Sequence, residues 1–112
     1  MKEKQIAERL MQLGFRPDNN GYHYLKTAVQ LLLMDNTRKV CKDIYQVIAA
    51  KFKTTPSCVE RAIRHSIQAT YRLDSPEWKK FYSLWYEGGK PTNGWVMATL
   101  AEMIRVGEKV AG

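Results

Sequence analysis

Ile48-Ala49-Ala50-Lys51-Phe52-Lys53-Thr54-Thr55-Pro56-Ser57-Cys58-Val59-Glu60-Arg61-Ala62-Ile63-Arg64 reads as one helix, a tight polar break and a second helix with arginines on its outer face. Ile48, Phe52, Val59, Ala62 and Ile63 stand where two crossing helices share a small core, and Ala49 stands where they approach closely. Thr55 before Pro56 is a helix start: a hydroxyl to cap the free N–H groups, then a residue whose missing N–H costs nothing at the first helical position. Ser57 also qualifies as the cap, and Ser57-x-x-Glu60 fits a capping box, which would make Glu60 structural. Lys53 occupies the turn position where glycine is common, at about 1 kcal/mol if the residue is left-handed.

The periodicity extends both ways. Upstream, a helix over about Val40 to Phe52 is expected to bury Ile44, Val47, Ile48 and Phe52. Downstream, Val59, Ala62, Ile63, Ser66, Ile67 and Thr70 recur at the three-and-four spacing of a buried stripe. Ser57, Glu60, Arg61, Arg64, His65 and Gln68 are left on the other side. This is the layout of a helix-turn-helix, with limits at about 40–72, whose second helix enters the DNA major groove. Arginine can fork onto guanine O6 and N7, and glutamate can accept from the cytosine amino group. Glu60, Arg61, Arg64 and Gln68 are therefore candidate base readers. Lys42, Lys51, Lys53, Ser57, His65, Lys90 and Thr92 are candidates for phosphate contact.

Charge agrees with that reading. The 112 residues carry 18 Lys and Arg against 11 Asp and Glu, net +7, with a pI near 9.5. From Arg38 to Arg72 there are eight basic and two acidic residues, so this segment alone holds +6. A basic patch over such a motif is the footprint of a polyanion partner.

Two helices around a short turn also occur in all-α domains that never meet DNA, so the wider sequence matters. Glu60-Arg61-Ala62-Ile63-Arg64-His65, with Thr54-Thr55 and Ile48-Ala49 before it, resembles the recognition segment of the sporulation master response regulator of endospore-forming bacteria. Gly21-Tyr22-x-Tyr24-Leu25 and Lys90-Pro91-Thr92-Asn93 agree in the same order, so the resemblance covers nearly the whole chain and is to that family's DNA-binding effector domain. It implies a compact bundle of about six helices, binding to short TGTCGAA-like boxes, often as tandem copies that pair on DNA, and regulation of transcription. It also implies that Glu60, Arg61 and Arg64 belong to the base-reading helix. The family's regulator carries a receiver domain as well. Here residues 1–112 read as one effector domain, with no run of strands and no acidic pocket, so phosphorylation control is not carried over.

The remaining segments read as helices. Residues 2–13 use Ile6, Leu10 and Leu13 as a buried face and end at Gly14. Tyr22 to Met34 is the most apolar segment and is expected to be central, through Ala28, Val29, Leu31, Leu32 and Leu33. Ser75-Pro76 opens a further helix with Ser75 as cap, Gly88 to Asn93 reads as a turn, and Gly94 to Val106 forms the last helix around Val96, Leu100, Met103 and Ile104. The stretch Trp78 to Tyr86 is more aromatic than the family's, which approaches RNA polymerase sigma factors in this neighbourhood. Trp78, Phe81, Tyr82 and Trp85, with Tyr86, form one helix face that reads either as core or as a partner surface. In the second case the chain is a protein-interaction module that captures a sigma factor or the full-length regulator.

Catalysis and cofactors find no support in the sequence. Cys41 and Cys58 are not in a CxxC, His23 and His65 lack ligand spacing, and no Gly-rich phosphate loop or nucleophile elbow is present. Tyr22-His23-Tyr24 reads as helix packing around one satisfied histidine. Two cysteines without an apolar leader point to a reducing cytoplasm, DNA as the partner implies association with the nucleoid, and no apolar run is long enough for a bilayer. The expectation is an all-α, non-enzymatic DNA-binding domain with no cofactor and no metal.

Overall fold

The computed structural model describes residues 2–34, 42–73, 75–85 and 91–111, with the side chains of Lys2, Lys42, residues 82–85 and residues 108–111 outside that description. Six helices lie in the described residues and no strand among them: α1 Lys2–Leu13, α2 Asn20–Met34, α3 Lys42–Phe52, α4 Pro56–Leu73, α5 Pro76–Trp85 and α6 Asn93–Ala111.

Helix α2 is the hub, packing on α1, α3, α4 and α6. Its Leu25, Ala28 and Val29 are fully buried, which follows from its being the most apolar of the six helices. Around it gather Ile6 and Leu10 of α1, Ile44 and Ile48 of α3, Val59, Ile63 and Ile67 of α4, and Val96, Met97 and Leu100 of α6 in one core cluster. Helix α2 begins at Asn20, two residues earlier than the periodicity places it, because Asn19 Oδ1 accepts the Gly21 N–H at 2.8 Å and caps the first turn. The same oxygen accepts the Ser66 hydroxyl of α4 at 3.1 Å. Gly21 sits at that crossing: a Cβ built on it would overlap the Ser66 side chain and lie 2.6 Å from the Ala62 carbonyl oxygen. Only glycine lets α2 and α4 meet there.

Two further elements differ from the sequence expectation, and a third settles an alternative it left open. In α3 the core takes Ile44, Tyr45, Ile48 and Ala49, while Val47 and Phe52 are 37% and 38% exposed. At about 100° per residue those four side chains centre on a direction Val47 does not share. Phe52 is the last helical residue, beyond the depth of the core, and its ring rests edge-on against Tyr24 at 5.1 Å. The last helix starts at Asn93 rather than Gly94 and runs to Ala111 rather than Val106. Thr92 caps it, its hydroxyl accepting the Trp95 N–H at 3.1 Å. Finally, Trp78 and Phe81 are 2% and 3% exposed. They belong to a ladder of edge-to-face rings from Tyr71 of α4 through Trp78 and Phe81 to Trp95 of α6. That burial removes both from any partner surface. Tyr82, Trp85 and Tyr86 have side chains outside the described residues, as do Cys41 and Lys90.

Candidate nucleic-acid interface

The turn between α3 and α4 is built from its own residues. Lys53 is left-handed, with φ 57°, and the Thr54 N–H reaches back to the Ala49 carbonyl at 2.9 Å. This bond satisfies an orphan carbonyl at the end of α3 and reverses the chain. Between the two candidate caps the structure selects Thr55: its Oγ1 accepts the Cys58 N–H at 3.1 Å. Ser57 is therefore inside the first turn and exposed. Glu60, released from a capping box, forms an ion pair with Arg64 one turn on, at 3.4 Å.

Helix α4 has 18 residues, about 27 Å of length. Val59, Ile63, Ser66, Ile67 and Thr70 are its buried residues, with Ala62 half-buried beside them. Ser57, Arg61, Arg64 and Gln68 fall within about 60° of one another on the opposite side, flanked by Glu60 and His65. Ser57, Arg61, Arg64 and His65 are exposed, whereas Glu60 and Gln68 are half-buried. An open depression of about 520 Å³ lies between α3 and the start of α4, lined by Tyr45, Gln46, Pro56, Ser57, Glu60, Arg61 and Arg64. Four of the candidate contacts are thus brought to one hollow, and Gln68 continues the same stripe one turn further.

The remaining candidates are dispersed. Lys53 is exposed in the turn. Lys51 is exposed near the end of α3, with its ammonium 5.7 Å from the centre of the Phe52 ring. Thr92 is exposed, but its hydroxyl oxygen is engaged in capping α6. The side chain of Lys42 and all of Lys90 fall outside the described residues.

Two features of the site escape sequence reading. The exposed Gln46 and the buried Tyr45 line the hollow from α3. The Asn93 amide donates to Tyr45 Oη at 3.0 Å and to the Glu60 carbonyl at 3.2 Å, across 48 and 33 residues of chain. No local periodicity signals a bond of that range. Cys58, exposed in the first turn of α4, has its thiol held below the ordinary range, first by the Thr55 hydroxyl and then by that of Thr54, with the Arg61 charge adding a smaller part. His23 is satisfied as expected, Nε2 lying 2.7 Å from the Pro17 carbonyl.

Among the described residues no three His, Cys, Asp or Glu side chains are grouped to hold a metal ion. No described helix is long and apolar enough to cross a membrane.

An all-α six-helix bundle, with a left-handed turn joining two packed helices and arginines along the outer side of the second, is a helix-turn-helix effector fold. The family model described as the C-terminal domain of sporulation initiation factor Spo0A matches residues 6–104. The chain belongs to that family: a DNA-binding, sporulation-type transcription-regulator domain rather than an enzyme.

Proposed function

We propose that residues 1–112 act as one effector domain that binds double-stranded DNA sequence-specifically, inserting α4 into the major groove at TGTCGAA-like boxes. The observation that carries this reading is the outward stripe of Ser57, Arg61, Arg64 and Gln68, set opposite the buried stripe of Val59, Ile63, Ile67 and Thr70. A helix so divided can sit deep in a groove without exposing its core face.

In the mechanism, Arg61 and Arg64 donate to guanine edges, Glu60 accepts from a cytosine amino group, and Gln68 addresses a base one turn further. Free in solution, Arg64 is held by Glu60 at 3.4 Å. On DNA the pair separates or shares a base step, so each side chain limits where the other can point. Ser57 stands at the helix N-terminus, where free N–H groups and the helix dipole favour a phosphate. Lys42, Lys51, Lys53, His65, Lys90 and Thr92 supply flanking contacts that fix register without reading sequence. Tandem boxes would seat two copies side by side.

A sigma factor is the second partner the family membership suggests. With Trp78 and Phe81 in the core, that contact would rest on Tyr82 and Trp85, and Trp85→Ala tests it by loss of sigma-factor binding with box binding intact.

The deciding experiment for DNA is binding to a duplex with two tandem boxes against a scrambled duplex, at low and near-physiological salt. Retained preference for the boxes at the higher salt supports base reading. Equal binding that collapses with salt would leave only phosphate attraction.

A further inference from the structure

We infer that Asn93 is a positioning residue for base reading, a role that rests on the DNA-binding proposal above. Asn93 is the first residue of α6, held there by the Thr92 cap, whose carbonyl accepts the Val96 N–H at 3.0 Å. Its amide group carries two N–H donors. One goes to the Tyr45 hydroxyl of α3 at 3.0 Å and the other to the Glu60 main-chain carbonyl of α4 at 3.2 Å. A single half-buried amide therefore joins three helices at the rim of the hollow lined by Tyr45, Glu60, Arg61 and Arg64.

The choice of acceptor gives this bond its consequence. A helix carbonyl has two lone pairs, and the helical ladder uses one. Asn93 takes the second at the turn of α4 from which the Glu60 and Arg61 side chains project. It fixes how far along its axis, and at what rotation, that turn sits relative to α3. Forked arginine contacts tolerate only about 0.5 Å of misplacement, whereas phosphate attraction tolerates much more. Loss of the amide should fall on discrimination between sequences and leave general affinity for DNA nearly unchanged. Asn93 itself need not touch DNA.

The test compares Asn93→Ala and Tyr45→Phe with the parent chain on the tandem-box and scrambled duplexes, at one near-physiological salt concentration and well below each Tm. Tyr45→Phe keeps the ring in its packed place and removes the hydroxyl, so it cuts the α3 side of the link while the bond from Asn93 to the Glu60 carbonyl stays. It tests the positioning of α4 against α3 where Asn93→Ala does not fold. The ratio of scrambled to box Kd is expected to fall about fivefold in each variant, with the scrambled Kd itself within about twofold of the parent's. Amide resonances of Glu60 to Arg64 should shift in the free variants. An unchanged ratio in both variants, whatever happens to Tm, would reduce Asn93 to a structural stitch. Equal losses on the two duplexes would also overturn the positioning role. If the parent shows no preference for the boxes, base reading itself fails, and that outcome is seen before any variant is made.

Discussion

Helices α4 and α5 start alike and end in opposite employment. Each opens with a hydroxyl residue and a proline, and in each the hydroxyl oxygen caps a backbone N–H: Thr55 that of Cys58 at 3.1 Å, Ser75 that of Trp78 at 3.2 Å. In α4 the chemically conspicuous side chains point outward, and a modest stripe of Val59, Ile63 and Ile67 holds the helix down. In α5 the conspicuous ones, Trp78 and Phe81, point inward and are nearly inaccessible. An amphipathic helix turns its cheapest face to water. Arginine loses its hydration when buried, whereas a tryptophan gains from losing contact with water. Trp78 and Phe81 therefore make their part of α5 a structural wedge, and the exposed arginines of α4 are what the DNA-binding proposal rests on.

Substitutions on the two helices should separate stability from binding. The largest effect is expected from Trp78→Ala, which empties the centre of the ring ladder and should cost about 3–5 kcal/mol of folding stability, read by chemical denaturation. A loss below about 1 kcal/mol would place Trp78 outside the core and erase the contrast. Next comes Arg61→Ala, exposed on α4. It should leave stability within about 0.5 kcal/mol and cost about 1–3 kcal/mol on the box duplex while relaxing the choice at one base. Lys51→Ala should instead weaken all duplexes alike and lower the salt slope by about one. Indistinguishable losses from the two variants would show that their roles are wrongly divided.

Smaller effects test what the helices share. Thr55→Ala and Ser75→Ala should each cost about 1 kcal/mol in stability, and only the first should also disturb box binding, since its helix start carries Ser57. The smallest effect is at the turn. Lys53→Gly relieves the left-handed backbone and should raise stability by about 0.5–1 kcal/mol. If Lys53 holds a phosphate, the same variant binds every duplex more weakly despite its greater stability. A more stable variant with unchanged affinity removes Lys53 from the interface.

Much of this arrangement is legible in the sequence wherever the governing force is local. The break at Lys53–Thr55, the proline starts of α4 and α5 and the division of α4 into two faces all follow from backbone chemistry and a 3.6-residue period. Val47 and Phe52 show where the period runs out: it marks candidates for burial, but the direction and depth of the core decide among them. Gly21 and Asn93 were visible only as parts of family-like motifs. Their physical reasons, a crossing too tight for a Cβ and an amide bonded to two distant helices, exist only once the chain has folded. The choice between Thr55 and Ser57 as cap belongs to the same class, since both spacings were satisfactory and geometry separated them.

The most direct test of base reading by α4 pairs a change in the protein with a change of one atom in the DNA. Replacing each box guanine in turn by 7-deazaguanine removes the N7 acceptor while leaving charge, pairing and the minor groove intact. At one guanine the parent should lose about 1–3 kcal/mol, and Arg61→Ala should lose nothing further there. Equal affinity of the parent for the normal duplex and for every 7-deazaguanine duplex would contradict arginine readout from α4.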